Sequence, residues 1–280
     1  MNTATMMLPT HETWHDYTKS VQLPTGIRMS YMECGTPGKK TLLLIHGHSD
    51  SSRIWRQLIS LVEEDFHIYA VDLRGFGQSD KPVQYVYSMT QHAEDIVAFM
   101  DAVGIQSACV AAHSMGTMIA QTLAFSAPKR VEKLILAATM THMHETPAAV
   151  KELTEMFESF DMQNMAKEDL QKNFLPFPEN CADPGFPEAF FSTLRLLSGA
   201  GLAAAWRGMS VTDNRNFFQF IEAPVTILWG TEDAIFTKEY QDELREYLPD
   251  ADFITLEGVA HEIPNEAADV LADTAKKFFL

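Results

Sequence analysis

Four short stretches carry the residues best suited to nucleophilic chemistry: His46-Gly47-His48, Ala112-His113-Ser114-Met115-Gly116, Gly230-Thr231-Glu232-Asp233 and Gly258-Val259-Ala260-His261. A serine hydroxyl is a poor nucleophile until a base removes its proton. Histidine suits that task because its pKa lies near neutrality, and an acid can hold the ring in the right tautomer and stabilise the imidazolium that forms. Ser114, His261 and Asp233 supply one of each. Ser114 follows an apolar run at 107–112 and precedes an apolar helical pattern from 115 to 127. On such a sharp strand-to-helix corner the serine Oγ is pushed out above the sheet. The next backbone N–H, that of Met115, is then free to face a developing negative charge. Residues two before and two after the serine must be small. Here they are Ala112 and Gly116, so the chain reads A-x-S-x-G where the usual signature is G-x-S-x-G. A serine serving only as a helix N-cap fits the same corner.

His46-Gly47-His48 follows another apolar run, 41–45. A glycine just past a central strand lets the backbone turn and leaves N–H groups pointing outward. The backbone N–H of His48 is the expected second oxyanion donor. Its side chain is open to two other readings, an exposed loop histidine or a third catalytic histidine. Asp233 and His261 stand just behind the strand-like runs 224–229 and 253–256. Taken singly, Asp233 also reads as an N-cap acid and His261 as a turn residue. In a parallel sheet, however, all these loops emerge at one carboxyl edge, where open α/β sheets place their sites.

The elements that must position these loops follow from periodicity. Runs at 17–22 and 27–33, joined through Pro24-Thr25-Gly26, read as a hairpin. Buried strands are expected at 41–45, 66–71, 107–112 and 131–138, and helices at 52–62, 90–103 (N-cap Thr90, stop Gly104) and 115–127. The stretch 72–82 holds Gly75 and Gly77 but lacks the G-x-x-x-x-G-K-[ST] spacing, which makes it a structured loop rather than a phosphate cradle. From 141 to 223 strand-like runs vanish. Helical patterns at 147–160, 166–174, 187–197 and 201–209 replace them, divided by a loop with Pro176, Pro178, Pro184, Gly185 and Pro187. The expected organisation is a core domain of residues 1–140 and 224–280 with a helical cap inserted at 141–223. Phe157, Phe190 and Trp206 of the cap are candidates for lining a pocket, although packing within the cap would use them equally well. Helices at 238–247 and 264–280 complete an α/β chain with a mostly parallel central sheet and helices on both faces.

At 280 residues, one large core plus an insertion is the natural size. Lys+Arg number 21 against 38 Asp+Glu, a net charge of -17, which argues against nucleic acid or an anionic membrane as partner. The N-terminal stretch shows neither a basic start nor a long apolar run, so no signal peptide and no transmembrane segment is expected. Cys34, Cys109 and Cys181 are scattered, without a C-x-x-C pair, and fit reduced thiols in a cytoplasmic protein. Thr141-His142-Met143-His144-Glu145 places two histidines at i, i+2, able to face one way on an extended segment. The spacing supplies no third ligand, so no metal is expected. The segment reads as a hinge, with His142 and His144 as candidates for substrate contact. Monomer and homodimer are equally compatible with the sequence.

With Trp55, the run Asp72-Leu73-Arg74-Gly75-Phe76-Gly77-Gln78-Ser79-Asp80 and Trp229 added, these motifs resemble the α/β-hydrolase fold, in its esterase, lactonase, haloperoxidase and C–C hydrolase branch. The order Ser…Asp…His is that of this architecture. The resemblance implies Ser114 as nucleophile, His261 as base, Asp233 as acid, and the amides of His48 and Met115 as oxyanion hole. The serine separates this chain from haloalkane dehalogenases and epoxide hydrolases of the same fold, which use an aspartate. The expected reaction is hydrolysis of a carboxylic ester or lactone of a small, largely apolar substrate through an acyl-enzyme on Ser114, with no cofactor. The same triad also serves C–C bond hydrolysis, thioester hydrolysis and cofactor-free haloperoxidase or perhydrolase chemistry. A ligand receptor that keeps the triad but turns over slowly is the alternative of another class.

Overall fold

The computed structural model describes residues 8–83, 86–174 and 185–280. Pro176, Pro178, Cys181 and Pro184 of the expected dividing loop lie outside the described residues. The apolar runs become strands β1 (Lys19–Gln22), β2 (Arg28–Gly35), β3 (Lys40–Ile45), β4 (Phe66–Val71), β5 (Ala108–His113), β6 (Val131–Ala137), β7 (Val225–Gly230) and β8 (Asp252–Leu256). Among the described residues they form one eight-stranded sheet in the order β1-β2-β4-β3-β5-β6-β7-β8. β1 and β2 make the expected antiparallel hairpin, β2 is antiparallel to β4, and the remaining neighbours are parallel. Leu42, Leu43, Leu44 and Ile45 are all inaccessible to solvent. Successive side chains of a strand point to opposite faces, so both faces are covered.

The covering helices are α1 (Arg56–Val62), α2 (Met89–Val103), α3 (Met115–Ser126), α4 (Pro147–Glu158), α5 (Lys167–Asn173), α6 (Phe186–Leu194), α7 (Gly199–Ser210), α8 (Lys238–Tyr247), α9 (Ile263–Glu266) and α10 (Ala268–Phe279). α1 packs with α10, and α2 with α3. Two of the boundaries that differ from the sequence pattern have a clear physical cause. α2 begins at Met89 because Ser88, not Thr90, is the cap: its side chain accepts the Gln91 N–H at 3.1 Å. The closing helix is interrupted at Ala267 (φ -137, ψ 42), which sets α9 apart as one turn devoted to the loop before it.

The run 72–82 has a structural job. The Asp72 carboxylate accepts the N–H groups of Ser52 and Gln78, each at 2.8 Å. Arg74 makes a two-pronged pair with Asp95, both contacts at 2.7 Å, with both side chains almost wholly buried. Burial pushes the Cys34 thiol up to about 12 and the Cys109 thiol up to about 11, leaving both unreactive near neutrality. No helix of the described residues is long and apolar enough to cross a membrane.

Between β6 and β7 the chain passes through α4, α5, α6 and α7, with α4 packed on α7. Its outgoing and returning crossings touch. His142 and Asp213 form an isolated antiparallel bridge, and the Asn214 N–H donates to the Thr141 carbonyl at 3.2 Å. Beneath them Gln121 of α3 donates to Thr139 Oγ1 and the Met140 carbonyl, at 2.9 and 3.0 Å, and accepts from Asn214 Nδ2 at 2.8 Å. A buried amide pays no desolvation penalty only when its partners are all present, so this network ties both crossings to one place on α3.

Candidate active site

β5 ends at His113, and Ser114 takes φ 52 and ψ -127 before α3 begins. For a non-glycine residue this conformation costs about 1–3 kcal/mol and persists only where the surroundings enforce it. They do. The Ser114 N–H donates to the Ala137 carbonyl at 3.1 Å, while Thr117 donates to the Ser114 carbonyl through its N–H at 2.8 Å and its hydroxyl at 2.6 Å. Two glycines allow the close approach: a Cβ on Gly116 would lie 2.4 Å from the His46 carbonyl oxygen, and one on Gly47 2.9 Å from Ser114 Cβ. Ala112, where the usual signature has glycine, is fully buried in β5 between Ile45 and Leu136. Its methyl leaves the corner intact.

The three side chains that the parallel sheet was expected to gather do meet. Ser114 Oγ lies 2.9 Å from His261 Nε2, and His261 Nδ1 lies 2.9 Å from Asp233 Oδ2. The other carboxylate oxygen, Oδ1, accepts the N–H groups of Ile235 and Phe236, both at 2.9 Å. An ionised carboxylate only accepts, so His261 carries its proton on Nδ1 and turns the Nε2 lone pair toward the serine hydroxyl. Burial is the largest influence on His261 and disfavours the imidazolium. The hydrogen bond and charge of Asp233, with Glu262 and Glu266 behind it, outweigh burial and leave the pKa raised.

Three side chains that sequence reasoning did not single out hold His261 in place. Glu266, on α9, accepts the N–H of Ala260 at 2.9 Å and that of Glu262 at 3.0 Å, bracketing His261 by its neighbours. His113 Nε2 donates to the His261 carbonyl at 2.9 Å. The Phe236 ring stands edge-on to the imidazole, with centroids 5.1 Å apart. The acid five residues past His261 was the one signal available, and only the backbone path makes it meaningful.

His48 is settled by its partners. Its Nε2 donates to the Leu202 carbonyl of α7 at 3.0 Å, and its Nδ1 accepts the Ser49 hydroxyl at 2.8 Å. With both nitrogens engaged it is neither an exposed loop histidine nor a free acid–base group. It straps the loop after β3 to the helical segment above. Burial lowers His46 and His48 to about 4 and His113 to about 3, so all three are neutral at working pH. Among the described residues the backbone N–H groups of His48 and Met115 have no protein acceptor; Met115 follows Ser114 directly, and His48 lines the same cavity as Ser114.

A cavity of about 190 Å³ opens over Ser114 and His261. Phe157, Phe190 and Trp206 line it, as do Met140, Met209 and Phe236. Asp50 borders it too, its carboxyl pushed well above the usual range, first by burial and then by the charge of Glu262. His142 and His144 do not line it. The segment after β6 is extended, its side chains alternate, and Met143 and Glu145 take the inward positions.

A family model described as the alpha/beta hydrolase fold matches residues 40–268. The chain belongs to the α/β-hydrolase fold family. Two distant relatives of this α/β hydrolase match over nearly their full length or most of it. The uncharacterized hydrolase YugF of Bacillus subtilis is 22% identical over 260 residues, 90% of this chain and 94% of its own. Lipase 1 of Psychrobacter immobilis is 27% identical over 282 residues, 93% of this chain and 83% of its own. The crystal structure of the enol-lactonase from Burkholderia xenovorans superposes with a TM-score of 0.80 at 19% identity, covering 93% of this α/β hydrolase and 99% of the lactonase chain.

Proposed function

We propose that this α/β hydrolase cleaves a carboxylic ester or lactone of a small, largely apolar substrate through an acyl-enzyme on Ser114. The observation that carries the reading is the unbroken chain Ser114 Oγ, His261, Asp233, with 2.9 Å at each step, opening into an aromatic- and methionine-lined cavity. His261 takes the hydroxyl proton as Oγ attacks the acyl carbon. The carbonyl oxygen becomes an oxyanion facing the amides of His48 and Met115, where α3 points the positive end of its dipole. The imidazolium then gives its proton to the departing alkoxide, which for a lactone stays attached as the hydroxyl of the acyl chain. Water, activated by His261 in turn, releases the acid and restores Ser114. Only side chains, amides and water take part. Segment 141–223 serves in this reading as the cap that closes the acyl site. The relatives named as a lipase and an enol-lactonase support the ester and lactone classes.

The test is intact mass after exposure to a small fluorophosphonate. One adduct on the wild type and none on Ser114→Ala supports an activated Ser114. Folded wild-type protein that takes no adduct overturns it. A panel of esters and lactones of increasing acyl size then separates the substrate classes.

A further inference from the structure

On the face of segment 141–145 turned away from the cavity, His142 and His144 point toward α8 and meet Glu243 there. Glu243 Oε2 lies 3.4 Å from His142 Nδ1 and 3.4 Å from His144 Nε2. One ligand atom from each of the three lies within 4.8 Å of the others. In a tetrahedral site with bonds of about 2.0–2.1 Å, neighbouring ligand atoms stand about 3.3 Å apart. Both histidine–carboxylate separations already fit, and the two imidazole nitrogens, within 4.8 Å of each other, would draw closer on binding an ion.

The ligands are also held. His144 stacks on Tyr240 with centroids 3.9 Å apart, and its backbone N–H donates to the Tyr240 hydroxyl at 2.9 Å. Thr141 Oγ1 donates to Glu243 Oε2 at 2.5 Å, an orienting contact of the kind that surrounds metal-binding carboxylates. His142 Nδ1 also lies 3.0 Å from Thr141 Oγ1, a contact that a bound ion would replace. Arg215 is the nearby cation. It spends its two-pronged contact on Asp213, at 2.7 and 2.9 Å, and reaches only the other oxygen of Glu243, at 3.5 Å. The cluster is partly open to solvent, so water can fill a fourth position.

We propose that His142, His144 and Glu243 form a binding site for a divalent transition-metal ion, zinc foremost, separate from the catalytic centre. Two imidazoles and a carboxylate suit a borderline ion and not a hard one such as magnesium or calcium. The ion would bind the outgoing crossing to α8. Through the His142–Asp213 bridge it would also secure the returning one, pinning the base of the helical segment.

The experiment uses the full chain without a polyhistidine tag, stripped with a chelator and titrated with zinc by calorimetry. Cobalt(II) serves as the optical probe, because tetrahedral nitrogen–oxygen ligation gives a visible absorption. One equivalent of zinc per chain is expected. His144→Gln and Glu243→Gln should each weaken binding at least about tenfold, since even the groups that only orient ligands are worth that much. Ser114→Ala should bind zinc like the wild type. His144 is the most exposed of the three ligands, so its variant reports even if Glu243→Gln disturbs the contact with Thr141. Failure of the wild type to bind saturably, or binding unchanged in both ligand variants, overturns the proposal. So does binding that depends on His261 instead of His144.

Discussion

At the carboxyl edge of the sheet, Ser114, His261 and Asp233 are joined by hydrogen bonds of 2.9 Å, and the backbone around His261 is held by Glu266 and His113. In the helical segment above, the cavity wall is ring against ring: Phe157 on Trp206 at 6.0 Å, Phe174 on Phe190 at 6.4 Å, and Phe157 on His48 at 5.2 Å. Hydrogen bonds are directional and fix atoms to within tenths of an ångström, whereas aromatic and methionine contacts tolerate repacking. The difference divides the labour of the proposed reaction. The edge sets whether a bond is broken. The segment sets which molecule is accepted. Among the described residues, a single hydrogen bond, from His48 to Leu202, crosses between the loop after β3 and α7.

The strongest way to break this comparison is Ser114→Ala, expected to lower kcat on a good ester about 10⁶-fold with little change in KM. Unchanged kcat would remove the edge from the chemistry. Asp233→Asn should cost about 10⁴-fold in kcat, because an amide at this position lets His261 take the wrong tautomer. Stopped-flow acylation rates would check that the loss is in the chemical step. In the segment, Phe157→Ala and Trp206→Ala should shift the ratio of kcat/KM between long and short acyl esters by about 10–200-fold, the range of one or a few methylenes in an apolar pocket. If either lowers all esters equally and as deeply as Ser114→Ala, the division fails. The smallest effect is on pH dependence. His261 must be neutral to act as base, and its pKa is raised. The acid limb of kcat/KM should therefore rise with pH through a value above about 6.5. Asp233→Asn removes the leading raising influence and should move that limb to lower pH.

Much of this was legible beforehand because its causes are local or shared by every strand. Apolar runs of strand length marked the sheet, and Ser114 sat where a strand gives way to a helix. Parallel strands all end on one edge, so Asp233 and His261 could be placed beside Ser114 without knowing any distance. Ser88 displaced Thr90 as the cap of α2 because either residue satisfies the pattern and only the backbone shows which oxygen reaches an N–H. His142 and His144 were candidates for the pocket because an extended segment offers two faces. Periodicity states that they share a face, and not which one.

The amino-acid sequence by itself determined the strands, the corner at Ser114, the order of the functional residues and the class of fold. These depend on side-chain period, turn chemistry and strand direction, which act over a few residues. The tertiary structure alone decided that the His48 ring reaches Leu202, that Glu266 brackets His261, and that Glu243 meets His142 and His144. Such contacts depend on how whole helices pack on a twisted sheet, and a shift of one ångström there makes or removes a hydrogen bond without altering any local pattern.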